Sequence, residues 1–171
     1  MKKNIEKVGK FVIETEASAL LKLASDLPKD FLGTIESILN TKGRVVVSGV
    51  GKSGHVGRKI AATLASTGTP ASFVHATEAS HGDLGMITPE DFCLLISNSG
   101  ETSELNDIIA HTRRFGIVTA VISSSLNSTL MQAADFKLLL TDAPEACMIG
   151  MAPTTSTILT MALGDALAIS L

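Results

Sequence analysis

The sequence predicts an α/β fold, a doubly wound five-stranded parallel sheet with two extra N-terminal helices, and three observations carry that expectation. From Arg44 onward, short runs of β-branched and aliphatic residues alternate with helix-length segments, as parallel strands joined by crossovers do. The runs are almost continuously apolar, which is how strands covered on both faces read. Loops rich in Gly and Ser follow the first and third runs, at strand carboxyl ends where ligands of such folds bind.

The elements follow in order. Over residues 4–25, Val8, Phe11, Val12, Ala19, Leu20 and Leu23 recur at helical spacing with charged residues between them, an amphipathic helix. Leu27-Pro28 breaks it, and residues 29–40 read as a second helix with Phe31, Leu32, Ile35, Ile38 and Leu39 on one side. Neither helix belongs to the strand-helix alternation, so both are expected to pack on the sheet or on another subunit. Strands are expected at residues 44–50, 71–75, 92–97, 118–122 and 136–140, and helices near 53–67, 102–115, 128–134 and 154–171. The last helix reaches Leu171 without a Gly or Asn cap, so the natural chain is expected to continue.

Composition narrows the function classes. A chain of 171 residues with 45% hydrophobic content suits one domain with an ample core. A net charge of −3 with 18% charged residues provides no basic field for nucleic acid or an anionic membrane. Cys93 and Cys147 form no CxxC pair and read as reduced thiols of a cytoplasmic protein. Polar residues interrupt the N-terminal segment before a signal-peptide core forms, and no apolar stretch is long enough to span a bilayer.

The first loop, Gly49-Val50-Gly51-Lys52-Ser53-Gly54-His55, matches the dinucleotide fingerprint between a strand and a helix. An NAD-binding module would want an acidic residue ending the next strand, yet that strand runs into Val74-His75-Ala76-Thr77, with Glu78 only later. A Walker A motif fails because Val46 stands where its leading Gly belongs. The second loop, Ser97-Asn98-Ser99-Gly100-Glu101-Thr102, offers three hydroxyls and backbone donors around one glycine. Both loops open helices, where the positive end of the helix dipole favours an anion such as a phosphate. Gly51, Ser53 and all six residues of the second loop are therefore candidate phosphate-binding residues. The second loop also suits a plain helix cap, with Glu101 or Glu104 completing a capping box.

These loops, together with Glu78-Ala79-Ser80-His81-Gly82-Asp83, Ala152-Pro153-Thr154-Thr155-Ser156-Thr157 and Leu163-Gly164-Asp165-Ala166-Leu167, make the chain resemble the sugar isomerase (SIS) domain of D-arabinose 5-phosphate isomerases. The resemblance implies a flavodoxin-like core over residues 43–171, with residues 1–42 a helical extension of the same domain. It implies interconversion of D-ribulose 5-phosphate and D-arabinose 5-phosphate, at the head of 3-deoxy-D-manno-octulosonate biosynthesis for lipopolysaccharide or capsule, with no nucleotide or other cofactor. The amphipathic N-terminal helices and the apolar last helix offer more hydrophobic surface than one small sheet can cover, so a homo-oligomer, dimer or tetramer, is expected, and the resemblance implies active sites shared between its copies. Relatives of this kind continue through a His-Pro-Gly-Gly segment, whose His is counted as catalytic, into paired CBS modules. This sequence contains neither, and is expected to be the isomerase domain of a longer enzyme.

Aldose–ketose isomerisation moves a proton between C1 and C2 through an enediol, which calls for a carboxylate base, a stabiliser of the enediolate oxygen and an acid for ring opening. Glu104 follows the second loop, Glu145 follows the fifth strand, and the resemblance places functional glutamates at both positions. Glu104 is preferred as the base because its helix starts at the phosphate loop, with Glu145 the alternative and surface caps the plain reading of both. Lys52 can neutralise a phosphate or an enediolate as a compact charge. His81 has the intrinsic pKa for ring opening. His55, His75 and His111 show no zinc-like spacing, so no metal is expected. A non-catalytic sugar-phosphate sensor is the alternative from another class, although the N-terminal helices carry no basic recognition face.

Overall fold

A computed structural model describes residues 2–171. Five strands, β1 (Val45–Gly49), β2 (Ala71–Phe73), β3 (Phe92–Ile96), β4 (Val118–Ser123) and β5 (Phe136–Leu139), form one parallel sheet in the order β2-β1-β3-β4-β5. Every residue of β1 and β3 is buried, as the unbroken apolar runs predict for central strands. Alternate side chains feed two cores. Val45, Val47, Phe92, Leu94, Ile96, Ala120, Ile122 and Leu138 pack under one helical layer, while Val46, Cys93, Leu95 and Val121 pack under the other. That period of two is the strand repeat itself.

The first layer holds α1 (Lys2–Ser25), α2 (Phe31–Leu39), α3 (Gly51–Ser66) and α7 (Thr155–Ser170). Its contacts come from Ala19 and Leu23 of α1, Ile35 and Ile38 of α2, Ile60 and Leu64 of α3, and Leu159, Leu163 and Leu167 of α7. An ion pair between Lys59 and Asp165 ties α3 to α7. The second layer holds α4 (Ala76–Ser80), α5 (Asn106–Phe115) and α6 (Thr129–Ala133), through Ala76, Ala79, Ile108, Ile109, Leu130 and Met131. Helices on both faces confirm the doubly wound architecture that the alternation predicts.

Three details depart from the sequence expectation. The second strand ends at Phe73 rather than residue 75, because His75 leaves the ladder to cap α4: its Nδ1 accepts the Thr77 backbone N–H at 3.3 Å. The short helix that results, followed by a 3-10 turn at Asp83–Met86, went unseen because five residues carry too little periodicity to register. The segment after the second loop begins as a 3-10 turn, Ser103–Leu105, before α5. In α1, only the second half joins the core. Val8 and Phe11 of the predicted apolar face are 37% and 49% exposed, so that face lacks a partner within this chain over its first half.

Candidate functional site

The strand order reverses between β1 and β3, since the chain leaves β1 toward β2 and returns on the other side to β3. Loops departing from the carboxyl ends of such neighbours separate and leave a crevice. Here the crevice is a cleft of about 190 Å³, walled by Val50, Lys52, Ser53 and Val56 after β1, by Asn98 after β3, and by Pro153, Ser156, Thr157 and Thr160 at the start of α7. Lys52 is the one charged side chain on this wall.

The first wall is shaped by glycines. A Cβ on Gly54 would lie 2.8 Å from the Gly49 carbonyl oxygen, so α3 can begin directly against the end of β1 only with Gly at 54. The fingerprint spacing thus serves the strand-to-helix turn, and Lys52 and Ser53 ride on the first turn of α3.

The second loop is braced from within. Ser97 is 2% exposed, its Oγ lies 2.7 Å from Thr102 Oγ1 and it accepts the Gly100 N–H at 3.0 Å. Ser99 Oγ accepts the Glu101 N–H at 3.2 Å. Asn98 is anchored outward to the loop after β4, with its carbonyl accepting from Ser123 Oγ at 3.0 Å and its side-chain oxygen from Ser124 Oγ at 2.5 Å. Glu101 reaches the start of α6, where its Oε1 accepts the Thr129 N–H at 2.8 Å; that bond holds its carboxyl below the ordinary carboxylate range. Of the six residues expected to cradle an anion, only Asn98 lines the cleft.

The two candidate bases occupy different settings. Glu104 is exposed in the 3-10 turn, and neither it nor Glu145 is part of the cleft wall. The Glu104 backbone N–H, then the Ser103 hydroxyl at 3.0 Å, lower the Glu104 carboxyl pKa, with a smaller contribution from the His75 charge. Glu145 lies in the loop between β5 and α7, and its Oε2 accepts from Thr154 N at 2.6 Å, Thr154 Oγ1 at 3.0 Å and Ser156 N at 3.3 Å. Partial burial pushes its pKa up, but the Ser156 and Thr154 groups outweigh this and leave the carboxyl below its ordinary value. His81 closes α4, exposed, with its N–H donated to the Glu78 carbonyl, and does not line the cleft. Gly51 opens α3 at φ +58, also outside the wall.

Sequence reasoning missed Ser156, Thr157 and Thr160 as wall residues. The available signal was the Ser/Thr run at the start of the last helix, a third helix N-terminus rich in hydroxyls. Among the described residues, no group of three His, Cys, Asp or Glu side chains is placed to hold a metal ion. No described helix is long and apolar enough to cross a membrane.

Comparison with known proteins places this geometry. Residues 38–170 match the family described as SIS domain. The chain is 51% identical over 168 residues to the arabinose 5-phosphate isomerase KdsD of Yersinia pestis, and 48% identical over 168 residues to a probable arabinose 5-phosphate isomerase of Haemophilus influenzae. In each case 98% of this chain is covered, against 51% and 50% of the relative. The chain therefore spans about half the length of the curated relatives it matches. A solved structure of an Escherichia coli CFT073 protein in complex with arabinose 5-phosphate superposes with a TM-score of 0.95 at 36% identity, covering 99% of this chain and 90% of that one.

Proposed function

Because the chain belongs to the SIS domain family, we propose that it is the isomerase domain of an enzyme interconverting D-ribulose 5-phosphate and D-arabinose 5-phosphate. The observation that carries this reading is the cleft at the β1/β3 switch point, with Lys52 as its one charged wall residue, in a chain half-identical to a named arabinose 5-phosphate isomerase. A cleft of about 190 Å³ whose wall carries hydroxyls, one amide and a single cation suits a small sugar phosphate better than a dinucleotide. Residues 43–171 form the sugar-phosphate-binding core of this reading, and residues 1–42 its helical extension.

In the proposed mechanism Lys52 neutralises negative charge on the bound sugar phosphate. Glu104 takes the proton from C1 of the ketose and returns it to C2 of the enediol, while the hydroxyl proton passes from O1 to O2, forming the aldose. His81 serves ring opening of the furanose as acid. The second loop supports phosphate binding through Asn98 and by holding the crevice open. The product enters 3-deoxy-D-manno-octulosonate synthesis in the cytoplasm, where Cys93 and Cys147 stay reduced. Burial raises the Cys93 pKa to about 12, with Asp91 adding to the effect, so that thiol is inert.

Turnover in heavy water tests the reading. Incubating the protein with ribulose 5-phosphate is expected to yield arabinose 5-phosphate carrying deuterium at C2. Binding of the sugar phosphate with no exchange would replace the enzyme by a sensor.

The first half of α1, together with Met148, Ile149 and Met151 at 75%, 77% and 81% exposure, leaves a group of large apolar side chains open to solvent on this chain. We infer a homo-oligomer in which a second copy covers it, with active sites shared between copies. Sedimentation is expected to give a multiple of 17.8 kDa; a monomer at micromolar concentration would end this inference.

A further inference from the structure

Asn98 is the one residue of the second loop on the cleft wall, and its side chain carries an acceptor oxygen and two N–H donors on a single flat amide. Which end of that amide meets a ligand decides what the ligand can be. An oxygen turned inward repels a phosphate, whereas an N–H donates to it in a charge-assisted hydrogen bond.

The segment after β4 fixes the amide. Ser124, which follows the last residue of β4, donates its hydroxyl to Asn98 Oδ1 at 2.5 Å and its backbone N–H to the Asn98 carbonyl at 3.0 Å. Ser123 Oγ donates to the same carbonyl at 3.0 Å. Both oxygens of Asn98 are therefore held by donors from one segment, and the amide nitrogen is the polar end of the side chain left for the cleft. Ser123 is buried, and its Oγ also accepts the Ser125 N–H at 3.1 Å. Ser124 is exposed and is not part of the cleft wall, so its hydroxyl acts on a ligand through Asn98.

The facing wall makes that donor matter. Thr157 Oγ1 gives its proton to the Thr154 carbonyl at 2.7 Å, and Thr160 Oγ1 to the Ser156 carbonyl at 2.8 Å. Toward the cleft these two hydroxyls offer lone pairs alone. Donors to an anion have to come from the opposite side, where Lys52, Ser53 and Asn98 stand.

We infer that Ser124 is a positioning residue, whose hydroxyl holds the Asn98 side-chain oxygen away from the cleft and so aims the Asn98 Nδ2 N–H groups at the phosphate of the bound sugar. This rests on the sugar-phosphate reading above. An amide set before the ligand arrives loses little freedom on binding.

Calorimetric titration with arabinose 5-phosphate, with inorganic phosphate as a competitor, tests the inference on the parent chain, Ser124→Ala, Asn98→Ala and the double variant. Ser124→Ala is expected to bind both about fivefold more weakly, the size of one directed hydrogen bond. Ser124→Thr keeps the hydroxyl and is expected to bind as the parent does. In the Asn98→Ala background, Ser124→Ala is expected to do nothing further, because the group that it aims is gone. The unfolding temperature of Ser124→Ala is expected within about 2 °C of the parent, as for other exposed side chains. The same loss repeated in the Asn98→Ala background would show a general loosening of the loop and overturn the inference. A loss for arabinose 5-phosphate with none for inorganic phosphate would aim the amide at the carbon chain and overturn it too. If the parent chain binds no arabinose 5-phosphate, the functional reading fails and takes the inference with it. If the parent binds and Ser124→Ala binds equally well, only the inference fails.

Discussion

Gly100→Ala is expected to lower thermal stability by about 3 kcal/mol and Tm by roughly 6–12 °C, with loss of ligand binding in the cleft. Gly100 has φ +69, a left-handed conformation that costs a residue with a Cβ ~1–2 kcal/mol. Space is the larger obstacle. A Cβ built there would overlap both Oγ and Cβ of Ser128 and lie 3.0 Å from Ser123 Oγ. None of these neighbours is free to yield. Ser128 Oγ donates to the Ser125 carbonyl at 2.7 Å, and Ser123 Oγ donates to the Asn98 carbonyl at 3.0 Å. The Gly100 carbonyl also accepts the Leu130 N–H at 3.1 Å, so a shift of the loop breaks its seam with the segment after β4. Asn98, the cleft-lining residue of this loop, moves with it. Differential scanning calorimetry measures the loss, and a Tm within about 2 °C of the parent, well short of the shift that such a loss produces, would refute the account. Adding Ser128→Gly removes both clashing atoms and is expected to recover the packing share of the loss while leaving the backbone share.

Glu104→Gln is expected to reduce kcat for ribulose 5-phosphate by about 10³-fold, within the range of general base catalysis, and to change KM by no more than about threefold. The amide keeps the shape of the side chain and its contact with Ser103 but cannot take a proton from C1. A separate signature lies in the pH profile. In the free protein the carboxyl is held below its ordinary value of 4.5 by its own N–H and by Ser103, so it is already ionised throughout the neutral range. The acid limb of kcat/KM, which reports free enzyme, is therefore expected below pH 4.5. Bound sugar phosphate strips water from the carboxylate and adds negative charge beside it, both of which raise its pKa. The acid limb of kcat is accordingly expected at higher pH than that of kcat/KM. Steady-state kinetics of parent and variant across the acid range check both statements. An unchanged kcat in Glu104→Gln would move the base elsewhere.

Much of this architecture is legible in sequence because its signals are local. Five apolar runs, the helical spacing of Phe31, Ile35 and Ile38, and the glycines of the first loop each act through neighbours a few residues away. The same locality explains the miss at α4, where a single turn capped by His75 leaves no repeat to detect. It also explains why six residues of the second loop looked alike. Hydroxyls and amides announce that they will form hydrogen bonds, but not with whom. Only the fold pairs Glu101 with Thr129 and Asn98 with Ser124.

The order of residues along the chain was enough to set the class of fold, the strand ends that frame the cleft, and Lys52 as the charged side chain on its wall. Three-dimensional packing was needed to make α7 the third wall, and to commit Glu145 to capping it while Glu104 stays exposed. The difference lies in the range of the interactions. Backbone periodicity and turn chemistry are settled among near neighbours, whereas the partner of a polar side chain is chosen by whichever distant segment packing brings beside it.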